Sequence, residues 1–314
     1  MSLTVAIQMD PLAGINALTD SSLLLGWEAQ RRGHRVVVYQ PEALAVENGR
    51  VRATGHEVTL RMDTEDWFDE GRRLTLDLAK DVDVVLIRQD PPVDMAYLAT
   101  LHFLELVKHD TLVLNDPSGI RSSPEKLITN YFPDLIPDTV QTLNVDEIMA
   151  FRAKHGDIIL KPLFGRGGEG VFYLKRDDSN LSALIELFEG ANGAPLIAQQ
   201  FLPDISSGDK RIILFDGEPV GALNRLPPEG EIRSNMAAGG SAHKTEISDR
   251  EREICARLKP TLVDRGLYFA GIDVIGGYLT EVNVTSPTGL QAINRIDGVN
   301  LEQQYWDGVE ARLS

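Results

Sequence analysis

The stretch Asp273-Val274-Ile275-Gly276-Gly277-Tyr278-Leu279-Thr280-Glu281-Val282-Asn283-Val284-Thr285-Ser286-Pro287 decides how this chain is read. It has the form of two short strands around a glycine turn, with Asp, Glu and Asn set among branched apolar residues. Carboxylates in β-rich core sequence are costly to bury unless a cation or partner neutralises them. An all-oxygen ligand set suits Mg²⁺ or Mn²⁺ rather than zinc. Mg²⁺ on one or two carboxylates keeps room for substrate phosphates, so a nucleotide is expected beside the hairpin.

Register sharpens the expectation. A two-residue turn at Gly276-Gly277 puts Asp273 on the face opposite Glu281 and Asn283. A three-residue loop, Gly276-Gly277-Tyr278, sets Asp273 directly across from Glu281. It also gathers Ile272, Val274, Val282 and Val284 on the other face, as a buried face requires. The three-residue loop is therefore the expectation. The competing reading is a hairpin whose acidic residues simply face solvent.

Working outward, 314 residues allow two or three domains with well-formed cores. Hydrophobic residues make up 43% and charged residues 25%, and no run is long enough to span a membrane. The first residues enter a strand pattern without a basic segment, so no secretion signal is expected. Cys255 is the single cysteine, which excludes an intrachain disulfide and fits a reducing cytoplasm. A net charge of −16 argues against nucleic acid or anionic membrane as partner.

From residue 1 to about 120, strand patterns at 4–9, 35–39, 82–88 and 111–114 alternate with helix patterns at 21–32 and 95–109, which implies a parallel sheet. Asp10-Pro11-Leu12-Ala13-Gly14 follows the first strand where a dinucleotide site needs its glycine fingerprint, so no such site is expected there. A helix is expected to begin near Ser122, with Ser122 and Glu125 as a capping box and Lys126 in its first turn.

Next, a strand carrying Lys161 leads into Phe164-Gly165-Arg166-Gly167-Gly168-Glu169-Gly170 and a further strand. Strands on both sides rule out a Rossmann turn or P-loop. The segment is read instead as a flap whose N–H groups cover phosphates, with a plain hairpin turn as the alternative. A strand at 195–202 precedes Gly208-Asp209-Lys210-Arg211 and a hairpin turning at Asp216-Gly217. Arg211 and Arg225 stand at its outer ends, near enough to share one anion. Residues 226–243 are long and small-residued, the signature of a lid or a disordered insert. Helices at 249–265 and at the C-terminus complete the pattern.

A lysine ahead of a glycine flap, a hinge-like strand, an arginine and an Asp…Glu-x-Asn set, in this order, resemble the ATP-grasp fold. More narrowly, the chain resembles bacterial glutathione synthetases from end to end. Met9-Asp10-Pro11, Asp20-Ser21-Ser22, Arg88-Gln89-Asp90-Pro91-Pro92, Glu125-Lys126-Leu127, Gly208-Asp209-Lys210-Arg211, Ala237-Ala238-Gly239-Gly240 and the 279–288 segment carry the resemblance. It implies an α/β protein, α+β in its ATP-binding part, with an N-terminal Rossmann-like parallel-sheet domain at 1–121. An ATP-grasp lid subdomain at 122–202 and a catalytic subdomain at 203–314, with a mobile loop at 226–243, would follow.

The same resemblance implies ATP-dependent ligation of γ-glutamylcysteine to glycine through an acyl phosphate. Lys126 and Lys161 would then meet nucleotide phosphates under the flap glycines Gly165, Gly167 and Gly168. Gln199, Phe201 and Leu202 would hold adenine, with Asp209 toward the ribose. Asp273, Glu281 and Asn283 would hold Mg²⁺ (or Mn²⁺), and Arg211 would offset charge on the transferring phosphoryl group. Arg225, Ser286 and Thr288 would meet the peptide substrates, with Arg233 and Asn235 brought by the lid. Catalysis would fall to Arg211, Lys161 and Arg233. The family resemblance further implies a homo-oligomer, a tetramer. Another ATP-grasp carboxylate–amine ligase, of the D-alanine–D-alanine or amino-acid-adding type, and a non-catalytic nucleotide-binding module remain the alternatives.

Overall fold

The computed structural model describes residues 2–165, 167–192, 194–236 and 239–314. Arg166 of the flap and Ala237-Ala238 of the 226–243 loop, all part of the sequence reading, lie outside the described residues.

The first sheet is built from β1 (Thr4–Gln8), β2 (Arg35–Tyr39), β3 (Leu44–Glu47), β4 (Arg50–Leu60), β5 (Phe68–Asp77), β6 (Val84–Ile87) and β7 (Leu112–Leu114). Helices α1 (Ser21–Arg31), α2 (Met95–Glu105) and α3 (Pro117–Arg121) connect and cover it. Strands β2, β1, β6 and β7 run parallel in that spatial order. Val5–Gln8 and all of β6 are buried, as expected of strands covered on both faces. The sheet is not wholly parallel, however. Strands β3, β4 and β5 add an antiparallel meander on the β2 side. The sequence reading assigned no element there. β4 buries every second residue over much of its length, but β5 is exposed over more than half of its length, so its apolar pattern is weak.

The expected helix at Ser122 is also corrected. Ser122 closes α3 instead of opening a helix, and a turn leads to a short 3₁₀ segment, Ile128–Tyr131. Glu125 is drawn away from any cap because its Oε1 accepts from the Val284 and Thr285 N–H groups at 3.0 and 3.2 Å and from Thr285 Oγ1 at 2.8 Å.

A four-stranded antiparallel sheet follows, made of β8 (Thr139–Thr142), β9 (Ile158–Pro162), β10 (Phe172–Leu174) and β11 (Leu196–Gln200), with α4 (Val145–His155) and α5 (Leu181–Asn192). The last sheet comprises β12 (Asp209–Phe215), β13 (Glu218–Leu226), β14 (Ser241–Lys244), β15 (Phe269–Ile275) and β16 (Tyr278–Asn283). It packs with α6 (Asp249–Asp264), α7 (Leu290–Asp297) and α8 (Leu301–Leu313).

The cores do not follow the sheets one to one. One apolar cluster joins Ala6, Val85 and Leu101 to Ile212, Leu258 and Val282, and a second joins Ile7, Leu25 and Val36 to Phe215, Tyr305 and Trp306. The first and last sheets thus share their interior. Asn115, beyond β7, reinforces the join: its Nδ2 donates to the Phe269 and Val284 carbonyls and its Oδ1 accepts from Phe269 N. The four-stranded sheet has a separate core around Ile148, Leu160, Ile185 and Ala198.

Candidate active site

The β15–β16 hairpin places Asp273 opposite Glu281, but by a different device from the one the sequence suggested. Ile275 pairs with Tyr278, so the turn is the two residues Gly276-Gly277. Both have positive φ, +56° and +82°, the type I′ geometry that glycine adopts without strain. One extra residue, Thr280, is then absorbed as a β-bulge, and its Oγ1 donates to the Asp273 carbonyl at 3.1 Å. The bulge restores the pairing that a regular two-residue hairpin would lose. Ile272, Val274, Leu279, Val282 and Val284 form the buried face.

Arg211 on β12 lies directly across from Asp273, and Arg225 on β13 across from Asp209. Arg211 grips Asp273 with two parallel bonds, Nε to Oδ1 at 2.5 Å and NH2 to Oδ2 at 2.9 Å. Arg225 NH2 reaches Asp273 Oδ1 at 2.9 Å and also pairs with Asp209. The anion that the two arginines share is therefore Asp273. Burial alone would raise the Asp273 pKa, but Arg211 and then Arg225 reverse this and hold the carboxyl well below its usual range. Asp209 goes the other way: burial raises it, although Arg225 opposes the shift. Ser234 Oγ donates to Asp209 Oδ2 at 3.0 Å, tying the 226–243 loop to this ion-pair network.

On the facing side, Lys126 Nζ sits 3.0 Å from Glu281 and donates to the Gly165 carbonyl at 2.9 Å. Burial works against its charge, yet Glu281 raises its pKa above the ordinary lysine value. Lys161 on β9 donates to Gln199 on β11 at 3.2 Å, a diagonal neighbour across the strand pair. Burial pushes Lys161 down to about 8, against the pull of Glu281. Asn283 Nδ2 donates to the Gly271 carbonyl at 3.2 Å, so its amide oxygen is the end left for a cation.

A cleft runs between the four-stranded and five-stranded sheets. Lys126, Lys161, Gln199, Phe201 and Leu202 line it together with the flap glycines Gly165, Gly167 and Gly168. Asp209, Arg233, Asn235, Asp273 and Glu281 border the same space. Phe201 stacks near Tyr173, with ring centroids 4.3 Å apart. A second, larger cavity opens toward the first sheet and holds Arg211, Arg225, Asn283, Ser286 and Thr288. The two meet at Gly165, Gly167, Arg233, Asn235 and Glu281. Every site residue expected from sequence thus borders one space or both. Flap and lid touch there: a Cβ on Gly168 would stand 2.7 Å from Asn235 Oδ1.

Asp10, Asp20, Arg88 and Glu125 also line the larger cavity. The sequence reading quoted their segments but gave none of them a place in the site, with Glu125 read only as part of a helix cap, because only the folded chain carries them to the Ser286–Thr288 loop. Ser286 Oγ donates to the Arg88 carbonyl at 3.2 Å. Cys255 is buried in α6 and its thiol is pushed up to about 12, mainly by burial, which leaves it inert.

A flap over lysines, a cleft between two antiparallel sheets and a carboxylate hairpin define an ATP-grasp ligase. Solved structures agree on the fold. The D-cycloserine synthetase DcsG superposes with a TM-score of 0.68 at 18% identity, covering 99% of this chain and 100% of its own. The ATP-grasp ligase PsnB, bound to a phosphomimetic variant of its minimal precursor, Mg and ADP, gives 0.60 at 18% identity, covering 100% and 99%. The chain belongs to the prokaryotic glutathione synthetase family. Residues 3–121 match that family's N-terminal domain and residues 125–298 its ATP-grasp domain. Glutathione synthetases from Brucella melitensis and Mesorhizobium japonicum are 50% and 48% identical over 312 residues, covering 99% of this chain and 100% and 99% of theirs.

Proposed function

We propose that the chain joins γ-glutamylcysteine to glycine where the two cavities meet, through an acyl phosphate. That junction carries the reading, because it sets the phosphate-facing cations of one cavity against the substrate-facing groups of the other. ATP lies in the smaller cleft, adenine against Gln199, Phe201 and Leu202, and its phosphates under the flap near Lys126 and Lys161. The donor lies in the larger cavity with its cysteinyl carboxylate toward the γ-phosphorus. Attack of a carboxylate oxygen there releases ADP and leaves the acyl phosphate. The glycine amine then adds to the acyl carbon, and phosphate departs.

Arg211 faces both steps from the cavity floor, where a guanidinium stabilises charge on the transferring phosphoryl group and on the tetrahedral oxyanion. Arg233 and Asn235 border the junction from the loop, which keeps water from the acyl phosphate. The hairpin fits Mg²⁺, with Mn²⁺ as the other oxygen-seeking choice. It offers two carboxylates and an amide oxygen, and no group of three or more His, Cys, Asp or Glu side chains suited to a metal occurs among the described residues. A metal content completed by nucleotide phosphates matches that donor set. Bound by Asp273, Glu281 and Asn283, the ion would supply neutralisation of phosphate charge.

The reading divides the chain at 1–121, 122–202 and 203–314, and takes it as a cytoplasmic homo-oligomer, a tetramer by family resemblance. No helix of the described residues is long and apolar enough to cross a membrane. The test uses γ-glutamylcysteine whose cysteinyl carboxylate carries ¹⁸O. One labelled oxygen is expected in the released phosphate, with ADP as the only nucleotide product. AMP, or unlabelled phosphate, would overturn the mechanism even if glutathione formed.

A further inference from the structure

Strand β16 is the outermost of its sheet, so one side of its backbone has no strand to pair with. The chain between α3 and β8 covers that side instead. Leu279 N donates to the Leu135 carbonyl at 2.8 Å and Val282 N to the Glu125 carbonyl at 3.0 Å. Residues two apart on a strand turn their N–H groups the same way, so Val284 N is the next donor of the row. There Glu125 Oε1 stands in for a neighbouring strand's carbonyl, at 3.0 Å. The same oxygen accepts from Thr285 N at 3.2 Å and from Thr285 Oγ1 at 2.8 Å. One residue thus grips the strand twice, at Val282 with its main chain and at Val284 and Thr285 with its side chain.

Asn283 lies between the two grips. The ladder also ends there, because Gly271 with Asn283 closes the pairing of β15 and β16. The end of an edge strand frays unless something holds it. A carboxylate is a costly residue for that task, since Glu281 is near enough to repel it through space. A charged acceptor, however, makes hydrogen bonds roughly twice as strong as a neutral one, and here one oxygen holds three donors. Metal sites depend on the groups that orient their ligands nearly as much as on the ligands themselves.

We infer that Glu125 is a positioning residue for the metal-binding hairpin: it fixes the backbone on both sides of Asn283 and so holds the amide oxygen of Asn283 beside Glu281. The inference rests on the proposed function and adds to its site a part that the three ligands do not supply. Glu125 acts through the strand and touches neither the ion nor the reacting atoms.

Mn²⁺ binding in the presence of saturating ADP, read by the spin resonance of the free ion, tests it without turnover. Glu125→Met keeps the bulk of the side chain and removes the acceptor, and its Kd for Mn²⁺ should rise about tenfold or more. Glu125→Gln retains a neutral acceptor oxygen, so its Kd should rise by only about threefold. Affinity for ADP without metal should stay within about twofold in both, because the bond from Val282 N to the Glu125 carbonyl, and with it the place of Lys126, is untouched. In steady-state kinetics the loss should fall on the half-saturating Mg²⁺ concentration, with kcat at saturating Mg²⁺ within about threefold of wild type. An unchanged Mn²⁺ affinity in Glu125→Met overturns the inference. So does an equal loss of Mn²⁺ and metal-free ADP affinity, which a general loosening of the fold would produce. Should Glu125→Met not fold, Glu125→Gln decides alone, an unchanged Mn²⁺ affinity again overturning it. A wild type that binds no Mn²⁺ with ADP refutes the hairpin as ligand and this inference with it; one that binds Mn²⁺ yet makes no glutathione refutes only the reaction.

Discussion

Replacing Asp273 by Asn removes one negative charge from between two guanidiniums without changing the shape of the side chain. Asp273 is 3% exposed, Arg211 7% and Arg225 5%. Arg225 keeps Asp209 as a counter-ion. Among the described residues Arg211 keeps only one hydrogen bond, to the Thr288 carbonyl at a long 3.4 Å. Breaking a buried ion pair from one side costs about 3–5 kcal/mol, because the remaining charge stays desolvated. The adjoining cavity admits water to Arg211, which sets the expectation at the lower end, about 3 kcal/mol. The thermal midpoint should then fall by about 6 °C or more. Denaturant unfolding, read as a shift in midpoint at constant slope, measures the change.

The double variant Asp273→Asn with Arg211→Met should recover much of the loss, since the stranded charge is gone with its partner. Acidity supplies a second check. The folded-state pKa of Asp273 is depressed, so its contribution is complete above the unfolded value of about 3.9 and disappears as pH falls through the lower folded value. The stability gap between wild type and Asp273→Asn should hold from neutrality to about pH 5 and close in stronger acid. A gap under about 1 kcal/mol at neutral pH, or no recovery in the double variant, would refute the account of the ion-pair network.

Glu281→Gln should cost only about 1 kcal/mol of stability, since its pair with Lys126 is partly exposed, while abolishing Mg²⁺-dependent ADP formation. Activity retained in calorimetrically folded Glu281→Gln would count against the hairpin as ligand. Because Lys161 titrates near 8, the KM for ATP should rise as pH is taken from 7 to 9, and Lys161→Arg should flatten the rise; an unchanged profile in wild type would remove Lys161 from the phosphates. Gly168→Ala puts a side chain at φ +81° and against Asn235, a strain of about 1–2 kcal/mol. KM for ATP should rise severalfold while the melting temperature falls by only a few degrees, and kinetics identical to wild type would separate flap from lid.

Local chemistry made much of this site readable. Alternating apolar residues located β15 and β16, and the Asp273–Glu281 pairing followed from keeping Ile272 and Val282 buried. The route to that pairing was not readable, since a three-residue loop and a two-residue turn with a bulge give the same opposition. The Ser122–Glu125 capping pattern misled because Glu125 has stronger partners at Thr285, 160 positions away in the chain. Arg88 and Asp20 could be quoted as sequence but not placed, since their meeting depends on which way the chain turns after β1. Strand β5, exposed over most of its first half, carried only the short alternation Leu74-Thr75-Leu76, too little to mark a strand.

The arrangement of cores has a mechanical consequence. With the first and last sheets sharing their interior and stitched by Asn115, any relative movement between them would have to open buried apolar surface. The four-stranded sheet carries its own interior and meets the rest across the nucleotide cleft. Among the described residues the cores accordingly leave one seam, not two, and on the proposed reading the nucleotide would lie along it. Opening that seam, on the same reading, would leave the walls built by the first and last sheets in register and would part them from the flap residues Gly165 and Gly167, which line both cavities.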